Sequence, residues 1–433
     1  MTPREPARAS ALAGAVSGLE KFLARFSFRH YLAFIFCLAL GLRLALIFFL
    51  ANFNSVSGME NELIALNLLA GKGYTLAFIV NEMPSALVGP VYSVFLYLHF
   101  WLFGKNYLPV ELTQALIGSG SALILALLGK RLASERVGIF SGLALAIYPL
   151  YAYWTALAYQ LTIDVFLLEL SLLLVLLAMR RNKFSYHLLA GACIGLTALS
   201  KSFYLSFLCL YLLWFWLWQR PQFRKIIFAA CLWSVCAAAV ISPWTIRNYH
   251  VFHQWVPLTT NGGPNLWYGN NPHATGALYT RDGKKMLDML PQELMRKIEL
   301  AQTEAEKDRL MGDAAMDWIK THPPEFLKLI PLRLRAIWWF DPEMATSFPL
   351  ARKLIYLTLL AFTIPGIILS RHLWRKLSIF YLLALWTTFF YSFFVGQARF
   401  RYLIEFGFLF FAAFFLNRLL TILEQKLGRQ IQS

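Results

Sequence analysis

Residues 160–183 read QLTIDVFLLELSLLLVLLAMRRNK. The pattern of this stretch, a long apolar run followed by basic residues, recurs along much of the chain. The part from Leu161 to Met179 is almost entirely apolar and is long enough to cross the hydrocarbon of a bilayer as a helix. The basic residues of 180–183 follow at once. Because short basic loops stay on the cytoplasmic side of a membrane, the stretch predicts one membrane-spanning helix that ends in the cytoplasm.

Similar apolar runs recur on both sides of this stretch. Hydrophobic residues make up 58% of the chain and charged residues only 15%, whereas soluble domains carry about a quarter. A span in lipid must close its own backbone hydrogen bonds, which favours helices. We therefore predict an all-α integral membrane protein with about ten transmembrane helices. They begin near Tyr31, Leu108, Gly138, Gln160, Tyr186, Phe203, Ile226, Leu354, Ser378 and Tyr402.

A further apolar run, Leu87–Phe103, decides the topology. Basic residues occupy the N-terminal tail, the C-terminal tail and the loops 129–136, 180–183, 219–225 and 371–376. If Leu87–Phe103 crosses the membrane, the N-terminal tail and these loops fall on opposite sides. If it does not cross, all of them are cytoplasmic together. We therefore predict that the run is a helix lying at the outer interface.

This topology divides the chain into five parts. They are a cytoplasmic tail (1–29), a transmembrane module (30–242) with an outer loop (51–107), an extracytoplasmic loop domain (243–349), C-terminal transmembrane helices (350–424) and a second cytoplasmic tail (425–433). Inside the loop domain, Pro291–Ile319 has helical periodicity and dense mixed charge. That pattern is typical of a solvated pair of helices.

The net charge of +17 bears on partners and location. Nucleic-acid binding needs a soluble basic face, whereas much of this charge lies in short loops between apolar runs, so no nucleic-acid partner is expected. We predict a multi-pass protein of the inner (plasma) membrane, surrounded by membrane lipids. Its active site is expected to face the periplasm or exterior, and the positive charge suits anionic lipid phosphates.

Several charged and polar residues fall at the outer ends of the predicted helices. The candidates are Glu60, Glu62, Tyr92, Asp164, Lys201, Arg247, Asn248, Arg399, Arg401, Tyr402 and Glu405. Charged residues near a bilayer are costly, so each suggests a function. Sugar transfer from a lipid phosphate needs a carboxylate that accepts the proton of the acceptor and cations that stabilise the departing phosphate.

We assign the base to Glu60 and donor-phosphate binding to Lys201, Arg247, Arg399 and Arg401, with the other candidates in supporting or substrate-binding roles. Each residue also has a purely structural interpretation. Glu60 could cap the helix that begins near it, and Asp164 could pair with a cation for packing alone. Lysine and arginine side chains at helix ends often only anchor the interface. His250 and His253 lack a third ligand and are read as surface residues.

An ordered series of loose motifs runs from about Phe34 to Phe415 and resembles the GT-C membrane glycosyltransferases. The resemblance is nearest to the family 39-like branch of protein O-mannosyltransferases and aminoarabinose transferases. The motifs are Met59–Tyr74, Gly89–Tyr92, Gly195–Lys201, Pro243–Tyr249, Asn265–Pro272, Trp318–Ile319 with His322–Pro323 and Arg333, and Arg399–Glu405. Two positions depart from the family pattern. Ser57 stands where many members carry an aspartate, and Lys201 with Ser202 stands where arginine is common.

The resemblance implies a GT-C fold with juxtamembrane helices in the first outer loop and one larger extracytoplasmic loop. It implies a polyprenyl-phosphate sugar donor and places Glu60 at the branch's acidic position. The acceptor stays open among a lipid, a glycan and a protein. No cofactor is certain, and a divalent metal is left open.

Two other functions fit the same residues. A transporter or flippase of lipid-linked sugars would use the cations without a base, and it would need a path to both sides of the membrane. Such transporters often show two related halves, and the sequence shows none. A ligase that uses polyprenyl-diphosphate glycans is the third hypothesis.

Overall fold

The computed structural model describes residues 26–50, 60–79, 81–339 and 349–432. The predicted N-terminal tail up to residue 25, Ser57 and the side chains after residue 425 lie outside this description. The described chain is mostly helical, which confirms the predicted fold class.

The first half of the chain alternates long apolar helices with short turns and contains one outer loop. Its elements are α1 (Phe28–Leu50), α2 (Glu60–Leu69), β1 (Thr75–Ala77), β2 (Glu82–Pro84), α3 (Pro90–Phe103), α4 (Leu108–Leu132), α5 (Glu135–Ile147), α6 (Pro149–Thr155), α7 (Leu161–Arg181), α8 (Phe184–Ser200), a 3-10 helix (Ser202–Ser206), α9 (Phe207–Gln219) and α10 (Phe223–Phe252). β1 and β2 form an antiparallel hairpin with Leu76 opposite Met83.

The second half holds a larger outer loop and the last long helices. Its elements are α11 (Gly262–Gly269), a 3-10 helix (Met286–Met289), α12 (Gln292–Leu300), α13 (Glu304–Thr321), α14 (Pro323–Trp338), α15 (Pro349–Leu369), a 3-10 helix (Arg371–Leu373), α16 (Trp374–Tyr391), α17 (Ala398–Tyr402) and α18 (Glu405–Gln432).

Among the described residues, seven helices are long and apolar enough to cross a membrane, or eight if the bent pair of α5 and α6 is one span. Each of the ten predicted starts falls in or beside a helix, but α8 is shorter than a typical span and α16 begins with basic residues. The membrane character of the protein is therefore established, whereas the count of about ten remains a prediction.

The basic loops gather at one end of the bundle, which we call the basic end. Arg180 donates to the carbonyl of Arg131 at 2.8 Å, so the first two basic loops touch. Trp214, near the end of α9, donates to the carbonyl of Lys376 in the fourth loop at 2.9 Å. The ammonium group of Lys130 lies 4.0 Å from the ring centre of Phe28, where α1 begins. The structure thus groups these segments as the sequence analysis does.

The first outer loop leaves and re-enters the bundle at the opposite end, which we call the outer end. Leu50, the last residue of α1, and Leu108, the first of α4, pack against the same apolar cluster. Between them, α3 has 14 residues and is about 21 Å long, short of the ~30 Å of a hydrocarbon core. Phe100 on α3 is buried while Trp101 is exposed. These features fit the predicted interfacial helix.

The centre of the bundle is α7. In its most apolar 18-residue stretch, 78% of the residues are buried, compared with 22% in the corresponding stretches of α1 and α10. Helices approach closely where glycines replace side chains. A Cβ added at Gly129 of α4 would lie 2.8 Å from the Cα of Gly138 on α5. Small residues allow such backbone approach between helices in lipid.

One boundary of the loop domain and one expectation about its helices differ from the sequence analysis. The limit placed at Pro243 falls inside α10, which continues to Phe252. The segment Pro291–Ile319 does form two helices, α12 and α13, but it is not simply solvated. Glu304 and Lys307 on α13 are each only 1% exposed, because α13 packs its charged side chains against the first outer loop. Charge density alone does not reveal such burial.

We predict that cysteines placed at Lys72 and Lys105, on either side of α3, react with a membrane-impermeant reagent from the same face. The reason is that the first outer loop begins and ends at one end of the bundle. Labelling would be carried out in a variant without the five native cysteines. A cysteine at Arg371, in a basic loop, is the control and should react only from the other face. Reaction of Lys72→Cys and Lys105→Cys from opposite faces would show that α3 crosses the membrane.

Candidate functional site

Lys201 lies at the outer end, in the turn between α8 and the following 3-10 helix. Its ammonium group is 5.2 Å from the ring centre of Phe400. Asp164 attracts it and accepts a 2.5 Å hydrogen bond from the neighbouring Ser200. Burial lowers the pKa of Lys201 to about 8, Asp164 opposes the change, and Arg399 adds to it. The lysine therefore loses its proton as the pH rises through about 8.

Arg399 on α17 is a second cation beside the same ring, with its Cζ 5.6 Å from the centre of Phe400. Nη1 donates to the hydroxyl of Tyr159 at 3.1 Å, whereas the buried Nε has no hydrogen-bond partner among the described residues. Phe400 is held in place by Tyr391, whose ring stacks on it at 3.8 Å. Two cations held together against their repulsion form a site that an anion would stabilise.

Glu60 is the first residue of α2 and is exposed. Its charge acts on Arg399 and on Tyr268 of α11, so these residues belong to one neighbourhood. Burial, together with the charge of Glu60, raises the pKa of Tyr268 to about 12. The structure therefore brings the predicted base close to one of the predicted donor cations. The position at the start of a helix also agrees with the capping interpretation.

Tyr92 on α3 faces this group from the first outer loop. Its hydroxyl donates to Gln114 of α4 at 2.8 Å. Burial raises the pKa of Tyr92 well above its ordinary value, and the neighbouring Tyr159 and Asp164 add to the rise. Oδ2 of Asp164 is buried and has no hydrogen-bond partner in the described part of the chain. Asp164 thus lies beside Lys201, and Tyr92 lies within electrostatic reach of Asp164 and Tyr159.

Glu62 occupies a different environment from Glu60, although it lies on the same helix. It is 4% exposed and accepts a hydrogen bond from the hydroxyl of Tyr107. The ammonium group of Lys105 lies 3.3 Å from its carboxylate. Glu62 therefore joins α2 to the connection between α3 and α4.

Arg401 makes a buried ion pair with Glu405. Nε lies 2.6 Å from the carboxylate, and Nη1 donates to the carbonyl of Ile337 at 2.9 Å. Its guanidinium stacks on the ring of Tyr356 at 3.6 Å. Glu405 also accepts from Tyr148 at 2.7 Å, and the carbonyl of Tyr402 accepts from Tyr151 at 2.7 Å. These residues join α17 and α18 to the loop domain and the bundle, a position unlike that of Arg399.

Arg247 and Asn248 act at the end of α10. Arg247 donates to the carbonyls of Ser85 at 2.7 Å and Tyr74 at 3.0 Å, both in the first outer loop. Asn248 is fully buried and donates to the carbonyl of Val256 at 3.0 Å. Within the described ranges, no contact joins Arg247 to Lys201 or Arg399. The four predicted cations thus fall into two groups. Lys201 and Arg399 lie together beside Phe400, and we call them the open pair. Arg247 and Arg401 instead donate hydrogen bonds to backbone carbonyls of the protein.

Sequence reasoning missed three aromatic residues that shape the open pair, namely Tyr159, Tyr268 and Phe400. Isolated aromatic residues are too common in membrane proteins to be noticed. It also missed Arg43 in α1, which is 1% exposed and lines a small cavity with Ser121 and Thr155, with Glu169 near enough to attract it. A charge inside an apolar run was the available signal.

No group of three or more His, Cys, Asp or Glu side chains that could hold a metal ion occurs within the described ranges. The carboxylates nearest the open cations, Glu60 and Asp164, act on Arg399 and Lys201 respectively. The described acidic groups of the site are thus associated with cations of the protein.

We predict that Arg401→Ala destabilises the fold by about 3–5 kcal/mol, because it leaves Glu405 buried without its cation. Thermal unfolding of the purified protein in detergent measures the loss. The double variant Arg401→Ala, Glu405→Gln should recover part of it, since no unpaired charge is then buried. An unchanged unfolding temperature in the single variant would mean that the ion pair is not needed for stability.

A family model described as dolichyl-phosphate-mannose-protein mannosyltransferase matches residues 87–246. The matched part runs from α3 to α10 and includes Tyr92, Asp164 and Lys201. No curated protein matches the chain.

Solved structures share the fold at low sequence identity. The oligosaccharyltransferase of Archaeoglobus fulgidus in its apo form is 14% identical over 94% of this chain, with a TM-score of 0.56. The same archaeal enzyme, AglB, with an inhibitory peptide and a dolichol-phosphate, is 16% identical over 95% of this chain, with a TM-score of 0.57. This chain spans about half of their length, 52% in both cases. ArnT from Cupriavidus metallidurans bound to undecaprenyl phosphate also aligns, at 13% identity, over 90% of this chain and 77% of its own, with a TM-score of 0.40. The resemblance to the GT-C membrane glycosyltransferases is thereby confirmed, and the chain has the fold of that group.

Proposed function

We propose that this protein is a glycosyltransferase that takes a sugar from a polyprenyl-phosphate donor at the outer end of the bundle and passes it to a lipid, glycan or protein acceptor. The observation that carries the proposal is the open pair of Lys201 and Arg399 beside Phe400, with the charge of Glu60 acting on Arg399. The proposal places this end of the protein at the extracytoplasmic face, because the basic loops lie at the other end.

The donor phosphate binds Lys201 and Arg399 in this proposal. Burial is the main cause of the lowered pKa of Lys201, and the charge of Arg399 lowers it further, so an anion between the two cations would remove a repulsion. The unpaired Nε of Arg399 provides a donor that the protein leaves unused. Charged hydrogen bonds to phosphate are about twice as strong as neutral ones. Arg247 and Arg401 hold the surrounding loops, so their contribution to donor binding is indirect.

The reaction follows from these positions. A hydroxyl oxygen of the acceptor attacks the anomeric carbon of the sugar, and the bond between that carbon and the phosphate oxygen breaks. The electron pair of the broken bond stays on the phosphate, where the two cations stabilise it. Glu60 takes the proton of the acceptor hydroxyl. Its exposure leaves room for an acceptor to approach.

The comparisons support this proposal without identifying the substrates. A dolichol-phosphate is bound in the AglB structure, which shares the fold, and the family model carries the description of a mannosyltransferase that uses a dolichyl-phosphate sugar. Both descriptions thus name a polyprenyl phosphate, as a bound molecule in one case and as the carrier of mannose in the other.

A second candidate is transfer of an oligosaccharide from a polyprenyl-diphosphate donor. It is favoured by one observation: two solved structures that share the fold, with TM-scores of 0.56 and 0.57, are described as an oligosaccharyltransferase. Incubation of the purified protein with polyprenyl-monophosphate sugars and, separately, with polyprenyl-diphosphate glycans distinguishes the two. Release of polyprenyl phosphate from the first class alone supports our proposal, and turnover of the second class alone supports the alternative.

We predict that binding of polyprenyl phosphate weakens as the pH rises through about 8, because Lys201 then loses its proton. The phosphate gains no further charge in this range, since its second pKa is near 6. Native mass spectrometry or a fluorescence titration against polyprenyl phosphate follows the affinity. In Lys201→Arg the cation stays charged and the decline should disappear. The same decline in both proteins would remove Lys201 from the donor site.

We predict that Glu60→Gln lowers turnover about 10²–10⁴-fold, the usual cost of losing a general base. Protein yield and affinity for polyprenyl phosphate should be retained, because Glu60 is exposed. Glu62→Gln is the matched control on the same helix. It alters the bonds to Tyr107 and Lys105, so its main effect should be on stability. Near-normal turnover of Glu60→Gln, or a selective loss in a stable Glu62→Gln protein, would contradict the assignment.

A further inference from the structure

Glu304, the first residue of α13, is buried and ties three segments of the chain together. Its carboxylate accepts from the hydroxyl of Ser85 at 2.7 Å and from the backbone N–H of Ala86 at 2.7 Å. It also accepts from the hydroxyl of Thr260. Ser85 and Ala86 belong to the first outer loop, whereas Glu304 and Thr260 belong to the second. One carboxylate thus joins the two outer loops.

The charges that face Glu304 come from α10 and from its own helix. The charge of Arg247 on α10 acts on Glu304, and Arg247 also donates to the carbonyl of Ser85 at 2.7 Å. Lys307 on α13 is likewise within its electrostatic reach and donates to the carbonyl of Phe78 at 3.4 Å. Glu304 acts in addition on Tyr74 of the first outer loop. A buried carboxylate with this many partners strongly specifies one arrangement of its neighbours.

The segment that Glu304 holds lies directly against the turn that carries Lys201. Gly89 follows Ala86 by three residues, and a Cβ added there would lie 1.9 Å from the carbonyl oxygen of Leu199 and 3.3 Å from that of Ser200. The backbone at Gly89 therefore contacts the backbone at Leu199 directly, and no side chain lies between them. The segment is thus in direct backbone contact with the two residues that precede Lys201.

The same segment is also connected to the beginning of α2. The hydroxyl of Tyr74 donates to the carbonyl of Val88 at 3.0 Å and to Ser93 at 3.1 Å. Ser93 donates to Asn61, the residue after Glu60, at 2.8 Å. Asn61 in turn donates to Gln160 at 3.1 Å. This chain of hydrogen bonds ends next to Tyr159, which accepts from Arg399.

A second route leads from α13 to the base through α11. Gly263 at the start of α11 donates to Asp308 of α13 at 2.7 Å. A Cβ added at Gly263 would lie 1.8 Å from the carbonyl oxygen of Asp308, so the two helices are in close contact. α11 carries Tyr268, on which the charge of Glu60 acts.

We propose that Glu304 is a positioning residue, through which the second outer loop fixes the distance between Glu60 and the cation pair of Lys201 and Arg399. The proposal rests on the function proposed above. It adds that α13, which touches neither cation, sets the geometry of proton transfer relative to the phosphate. A displacement of about 1 Å at a reacting group can cost about 10²-fold in rate.

The test measures kinetics and geometry in the same full-length variants. In Glu304→Gln we expect kcat to fall about 10–10²-fold, while KM for the donor and affinity for polyprenyl phosphate change less than about threefold. Glu306→Gln is the matched control, because its carboxylate lies two residues away and accepts from the backbone of Gln302 within the second loop. It should keep the kcat of the unaltered protein.

A smaller change at the partner keeps the test decisive if Glu304→Gln does not accumulate in the membrane. Thr260→Val removes the hydroxyl that donates to Glu304, whereas Thr260→Ser keeps it. The valine variant should lose kcat in the same way, and the serine variant should be close to the unaltered protein. Equal kcat in the two variants would overturn the proposal.

The separation of the two outer loops is measured independently of enzymatic activity. Spin labels are attached to Leu69→Cys on α2 and to Trp255→Cys after α10, both exposed positions, in a protein that lacks the native cysteines. Glu304→Gln should broaden the distance distribution and Glu306→Gln should not. An unchanged distribution in Glu304→Gln, or a broadened one with normal kcat, would overturn the proposal. If the unaltered protein transfers sugar from no polyprenyl-phosphate donor, the proposed function fails, while the distances still show whether Glu304 holds the loops.

Discussion

Lys201 and Arg399 are held beside the same phenylalanine ring in spite of their mutual repulsion, and the outer end of the protein is organised around them. Like charges stay close only where neighbouring residues hold them rigidly, since the two side chains would otherwise move away from each other. Gly89 packs closely against the backbone of the turn that carries Lys201, and the ring of Phe400 stacks on that of Tyr391. The protein supplies nearby carboxylates but leaves hydrogen-bonding capacity unused, as the Nε of Arg399 shows. In the function proposed above, the donor phosphate completes this arrangement.

The other outer arginines show what a structural arginine looks like in the same protein. The guanidinium of Arg401 donates to the carboxylate of Glu405 and to backbone carbonyls, and it stacks on the ring of Tyr356. Arg333 donates to the carbonyls of Ser392 at 2.6 Å and Gly269 at 2.7 Å, and so joins α14 to the segments after α16 and α11. Where a fork of donors is largely occupied by the chain itself, its removal should act on stability. Arg399 differs from both, because among the described residues it donates to the hydroxyl of Tyr159 and not to backbone carbonyls.

Two buried ionisable residues lie inside the bundle, away from the outer end. Arg43 on α1 and Glu169 on α7 attract one another, and neither carboxylate oxygen of Glu169 has a hydrogen-bond partner in the described ranges. Gly118 on α4 leaves the space that the guanidinium needs, because a Cβ there would lie 2.9 Å from its Nε. The pair connects the peripheral α1 to the central α7, and Arg43 also lines a small cavity with Ser121 and Thr155.

The sequence by itself determined the membrane character, the approximate positions of the helices and the grouping of the basic loops, because hydrocarbon thickness and charge placement act on local composition. It also proposed Glu60, Lys201 and Arg399 as candidate site residues, since each follows or precedes an apolar run. Only the tertiary structure separated Arg399 from Arg401 and Glu60 from Glu62. These pairs share a type and a neighbourhood in sequence, but one member of each is buried against distant partners. Contacts such as that of Glu304 with Ser85 join residues more than 200 positions apart, and no local pattern contains them.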